Sequence, residues 1–252
     1  MKKILPVFVK DQLKIKYDTL VEFLISANLK SKIINDYKKN IPNISYSQEG
    51  EDLILKRILG YQINGFYIDI GAHHPTRFSN TKIFYDLGWN GINIDAMPGS
   101  MNEFKLQRTR DINLEIGISK ERNTLKYFQF NEPALNTFSE KEAKLKDGKN
   151  GYKIIKENDI DTFPLAEILD KYEQYFEEID FMNIDVEGLD LEVLKSNNWE
   201  KYKPKIILIE SLNSSENWLD GNVIFDLLSI FNYKLVAKTH NTMFFKLSNY
   251  EV

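Results

Sequence analysis

Four carboxylates, Asp69, Asp95, Asp185 and Glu210, each finish a short apolar run of the kind that forms a buried strand. Carboxylates so placed can take protons, accept hydrogen bonds from hydroxyl groups or hold cations, and four at strand ends point to a shared reactive edge. The chain's three histidines, His73, His74 and His240, fall in turns at the same edge. An imidazole with an ordinary pKa near 6.5 exchanges protons at neutral pH.

The elements that must position these groups follow from periodicity. Residues 66–70, 91–95, 112–118, 179–186 and 206–210 read as buried strands, and 124–130 as a β-extension of the third. Between them, 51–59, 79–87, 100–107, 165–175 and 189–194 have helical spacing, with acids in the first turn of the first. A helix over 223–231 and a hairpin, 233–237 with 243–247, close the chain. Alternating strands and helices predict a parallel sheet with crossover helices. The charged stretch 131–159 reads as a solvated insertion over the sheet's C-terminal edge. Apolar spacing over 11–39 predicts two leading helices that cover a sheet edge, form a homodimer contact or lid the site. The expected division is therefore a helical extension, 1–44, and one α/β domain, 45–252.

Composition narrows the function. The chain has 252 residues, 42 % hydrophobic, enough for a sizeable core and incompatible with general disorder. Its 33 basic and 37 acidic side chains give a net charge of −4, and no basic block offers the footprint of a dedicated nucleic-acid binder. Without cysteine there is no disulfide, thiolate zinc site or cysteine nucleophile. The first apolar run is interrupted by Pro6 and ended by Lys10-Asp11, and no stretch reaches the roughly 18 to 20 residues of a membrane span. A cytoplasmic protein is expected.

Asp69-Ile70-Gly71, followed by Asp95 at the end of the next strand, has the layout of a nucleoside site. The glycine admits a ligand close to the backbone, and the second acid accepts from ribose hydroxyls. Ala72, His73 and His74 follow where a dinucleotide fingerprint would have further glycines, and no G-x-x-x-x-G-K-[ST] run occurs. A phosphate-free adenosine ligand such as S-adenosylmethionine suits a single glycine better than a pyrophosphate does.

Ser47-Gln48, Glu51-Asp52, Phe66 to Ala72, Ser79-Asn80-Thr81, Gly88 to Gly91, Asp95 with Pro98, and Ile184 to Gly188 together resemble the FkbM-type S-adenosylmethionine-dependent methyltransferases. The resemblance implies a class I methyltransferase fold, Rossmann-like: a mostly parallel seven-stranded sheet with helices on both faces and an antiparallel last strand. It implies methyl transfer to oxygen, commonly on sugars in surface or capsular polysaccharide biosynthesis, glycolipids or secondary metabolites. By matching position, Asp69 and Gly71 would lie beside the methionine part and Asp95 at the ribose, with Ala72 also cofactor-binding. Gln48 and Glu51 would approach the cofactor from the preceding helix. His73-His74-Pro75 departs from the small residues usual in that turn.

A sugar hydroxyl needs a base or a metal to become a nucleophile. Asp185 is the first candidate base, with Glu187, His74 and His240 as further catalytic candidates. Asp185, Glu210 and His240 offer a donor set for Mg²⁺ or Mn²⁺. Arg77, Asn136 and Thr137 are candidates for gripping the acceptor, expected to be a sugar or nucleotide sugar. Two alternatives are a non-catalytic cofactor-binding module and an NAD-dependent sugar oxidoreductase; the missing glycines disfavour the latter.

Overall fold

Strands buried on both faces need apolar side chains at both parities, and β1 (Phe66–Ile70) meets that demand with all five residues buried. In the computed structural model the described residues are 44–60, 62–211 and 222–250. The helices expected over 11–39 lie outside them. The chain divides into two units, Met1–Ile44 and Ser45–Val252, and the second carries the elements below.

The second unit begins with α1 (Glu51–Ile58), whose first-turn acids and last-turn Lys56 and Arg57 suit the helix dipole. The Asp52 carboxylate gathers the preceding segment, accepting from Ser45 Oγ, the Tyr46 amide and Ser47 Oγ at 2.7–2.9 Å. There follow β1, α2 (Lys82–Asp86), β2 (Asn90–Asp95), α3 (Met101–Gln107) and β3 (Ile112–Glu115). Further on come α5 (Leu165–Tyr172), β7 (Phe181–Ile184), α6 (Asp190–Lys195) and β8 (Ile206–Glu210). The chain closes with α7 (Val223–Ile230), β9 (Tyr233–Lys238) and β10 (Thr242–Leu247).

The seven-stranded sheet has the order β3-β2-β1-β7-β8-β10-β9. Its first five strands are parallel, and β10 runs antiparallel to both its neighbours. Alternate residues serve opposite layers. Ile68, Ile70, Met182, Ile184, Ile207 and Ile209 pack in the core that holds Leu165, Leu169, Leu194 and Leu228. Tyr67, Phe181, Ile206 and Leu208 pack instead with Leu55, Phe84 and Trp89. Helices therefore cover both faces, and no helix among the described residues is long and apolar enough to cross a membrane.

The segment between β3 and α5 departs from the sequence reading. Residues 112–118 do not form one strand: β3 stops at Glu115, and β4 (Gly117–Ile118) pairs in parallel with β6 (Ile154–Phe163). The stretch expected to extend the third strand is β5 (Asn123–Phe130), which pairs antiparallel with β6 in a separate sheet of order β4-β6-β5. The expected solvated insertion carries structure too, namely a 3₁₀ turn (Pro133–Leu135), α4 (Glu140–Lys146) and the first part of β6. The β6 alternation is present but muted, because the less exposed positions include Asn158 and Thr162 while Glu157, Asp159 and Asp161 face water.

Candidate active site

At the topological switch, β1 has β2 on one side and β7 on the other, and a cavity of about 430 Å³ opens beyond their carboxyl ends. Gly71 makes this close approach possible. Its φ of +82° is left-handed, and a Cβ there would lie 1.7 Å from the Asp185 carbonyl oxygen. The amides of Gly71 and Ala72 both donate to the Ile94 carbonyl, at 2.9 and 3.0 Å, tying the turn to the end of β2.

Asp95, at that end, accepts from the His73 and Met97 amides at 2.8 Å each, which leaves lone pairs for a ligand's hydroxyls. Burial raises its pKa, and the two amides oppose the rise. Asp69 is held between Thr81 Oγ1, which donates at 3.0 Å, and Asn183 Nδ2, which donates at 2.9 Å. Asn183 faces Asp69 because the two are register partners on adjacent parallel strands. Asn80 Nδ2 in turn donates to Asn183 Oδ1 at 2.9 Å. Buried Arg108 fixes the loop above, donating to the Pro75 carbonyl and Ser79 Oγ. Gln48 and Glu51 also line the cavity. Glu51 accepts from Thr242 Oγ1 at 3.3 Å, and Glu49 from the Asn241 amide at 3.0 Å, so this segment is laced to the β9–β10 turn.

Asp185 stands just past β7, and oxygens of Asp185, Glu187 and Glu210 lie within 4.8 Å of one another. Protein surrounds Asp185 at depth, yet the residue remains exposed on the cavity wall. That setting, together with the negative charges of Glu187, Asp190, Asp69 and Glu51, lifts its pKa well above the usual carboxylate range. Glu210 is raised by burial first, then by Asp185, Glu187 and Asp190. Burial also raises Glu187, against the pull of the Lys146 ammonium, with which it forms an ion pair.

The expected residues do not all converge here. Gln48, Glu51, Asp69, Gly71, Ala72, Asp95, Arg77, Asn136, Asp185, Glu187 and Glu210 line the cavity; His74, His240 and Thr137 do not. His74 Nδ1 instead accepts from the Thr76 and Arg77 amides at 3.1 and 3.0 Å, which makes it a turn former. His240 is exposed in the turn between β9 and β10 and stands outside the carboxylate cluster, so Glu187 takes its expected place as a potential third donor to a metal. Thr137 is fully buried, and its Oγ1 donates to the Glu187 carbonyl at 2.6 Å. Arg77 pairs with both oxygens of Glu132, at 2.9 and 3.0 Å. His73 lines the cavity beside Arg77, with burial and that cation lowering its pKa to about 4. Asn183 and Lys146 are the additions. A polar residue within an otherwise apolar strand was the available signal for Asn183, whereas no spacing singles out Lys146.

The strand order, the antiparallel β10 and the layered helices define the class I methyltransferase fold, Rossmann-like in its parallel half. The family model of the methyltransferase FkbM domain matches residues 69–235, and the chain belongs to this family. No curated protein matches it. Among solved structures it is similar to methyltransferase FkbM from Methylobacillus flagellatus KT, with 16 % identity and a TM-score of 0.49. That similarity covers 79 % of this chain and 48 % of the other, so the chain spans about half the length of that protein.

Proposed function

We propose that the protein is an S-adenosylmethionine-dependent O-methyltransferase acting on a sugar hydroxyl, in a nucleotide-activated sugar or a polysaccharide unit. The observation that carries this reading is one cavity lined both by a nucleoside-type wall, Gly71 and Asp95, and by an exposed carboxylate, Asp185. The donor set fits the cofactor. After the Gly71 turn the next helix, α2, begins only at Lys82, so no helix N-terminus stands ready for a pyrophosphate. Several acids line the cavity, and an acidic wall suits a sulfonium cation.

In this reading Asp95 binds the ribose, and Asp69, Gly71 and Ala72 form the wall beside the methionine part. Gln48, just before α1, and Glu51, its first residue, close that wall. Asp185 takes the acceptor's proton. Bound there, S-adenosylmethionine would supply the methyl group from its sulfonium, which would leave as the neutral thioether, to the oxygen whose proton Asp185 takes. Glu187 and Glu210 flank the base, while Arg77 and Asn136 stand where an acceptor enters, with Thr137 holding Glu187 from behind.

Calorimetry with S-adenosylmethionine tests the proposal. Binding is expected in the wild type and weaker by about tenfold or more in Asp95→Ala, the loss of a charge-assisted hydrogen bond. Saturable binding of NAD with none of S-adenosylmethionine would replace methyl transfer with hydride chemistry. If the cofactor binds, release of S-adenosylhomocysteine over a panel of nucleotide sugars and simple glycosides identifies the acceptor.

A further inference from the structure

The carboxylate cluster already faces a cation. Lys146, the last residue of α4, reaches from the insertion to the reactive edge, and its ammonium pairs with Glu187 Oε2. Its charge also acts on Glu210. Among the described residues, Arg77 and Lys146 are the arginine and lysine side chains lining the cavity, and Arg77 is engaged by Glu132. The positive charge available to Asp185, Glu187 and Glu210 from that lining is therefore that of Lys146.

Its position is built by several contacts. Thr137 Oγ1 donates to the Glu187 carbonyl at 2.6 Å, and the Lys146 side chain is only 20 % exposed. A Cβ at Gly188 would stand 3.0 Å from Glu142 Cγ and 3.3 Å from Ser139 Cβ, so α4 and its cap rest directly on the turn that carries Asp185 and Glu187. Glu187 itself has a left-handed φ of 54°. A divalent ion drawn to the same three carboxylates would stand against this ammonium and be repelled by it.

Resting on the methyl-transfer reading, we infer that Lys146 is the resident cation of the reactive edge. It holds Glu187 in place and occupies the position a divalent metal would need, which leaves proton removal to Asp185 without a metal. Lys146 is a positioning residue that acts through Glu187.

The test is a Mn²⁺ titration of the full chain by calorimetry and electron paramagnetic resonance, with S-adenosylmethionine binding measured on the same samples. Wild type and Lys146→Arg are expected to bind Mn²⁺ weakly. Lys146→Met should bind it at least about tenfold more tightly, the effect of removing a like charge from a partly buried site, and Asp185→Asn in that background should cancel the gain. Tight single-site binding to the wild type that Glu210→Gln abolishes would overturn the inference. So would a folded Lys146→Met with no gain. If Lys146→Met does not fold, the wild-type and Glu210→Gln titrations decide alone. Failure of S-adenosylmethionine to bind would sink the cofactor reading and leave the Mn²⁺ result standing separately.

Discussion

Asp185 and Asp95 are both carboxylates at the carboxyl ends of the two strands that flank β1, and their surroundings give them different work. Asp95 is engaged by two amides and suits hydrogen bonding to a ligand's hydroxyls, whereas the Asp185 carboxylate accepts no hydrogen bond among the described residues and faces like charges. A base needs an unengaged lone pair and a raised pKa, and Asp185 has both. Asp185→Asn is expected to lower kcat about a hundredfold or more while cofactor binding persists, in line with the usual weight of a positioned base. In the wild type the acid limb of the kcat profile should lie above the ordinary carboxylate value near 4, because the protonated fraction persists to higher pH. A rate that is flat from pH 5 upward, or an active Asn variant, would assign the proton to another group.

At the scale of elements, what was legible in the sequence follows burial. β1, β2, β7 and β8 are covered on both faces, so they read as continuous apolar runs, and the acids Asp95 and Glu210 at their ends, Asp185 just beyond and Asp69 one residue inside stand out from them. The first part of β6 reads as solvated insertion because a sheltered position there is the polar Asn158. Long-range docking was not legible: Thr137 and Lys146 meet Glu187 across 50 and 41 residues. Nor does spacing tell which way a hairpin turn presents His240. The close seam between the β1 turn and the end of β7 yields its own prediction. Gly71→Ala places a methyl group into the Asp185 carbonyl at a left-handed φ, and a loss of more than about 2 kcal/mol in urea unfolding is expected. Phe181→Ala, deep in the opposite core, should cost about 3–5 kcal/mol. Near-neutral results would mean that the seam yields or that the core refills.

For the whole molecule, the carboxylate cluster sets how stability varies with acidity. Glu210, Asp185, Glu187 and Asp190 all bind protons more readily folded than unfolded, with Lys146 opposing this at Glu187 and Glu210. A carboxylate whose folded pKa exceeds its unfolded one costs stability as pH rises from the unfolded value towards the folded one. The ligand-free protein should therefore melt at progressively lower temperature from about pH 5 to pH 8, counter to the trend of proteins whose acids are ion-paired. Glu210→Gln, which stays neutral, should flatten that slope. A slope unchanged in Glu210→Gln would show that Glu210 ionises freely in the folded chain.

The pairing of β1 with β7 also sets a timetable. Asp69 and Asn183 lie side by side yet are 114 residues apart in the chain, with β2, β3 and the whole three-stranded sheet between them. A contact of such separation closes late, because a long loop must be drawn in before the contact rewards it. A nascent chain that has passed β1, β2 and β3 therefore holds only part of the cavity wall, and the cavity is complete only when the strand bearing Asn183 inserts. Ligand present during refolding would then slow the escape of finished molecules and leave the speed of their formation almost untouched.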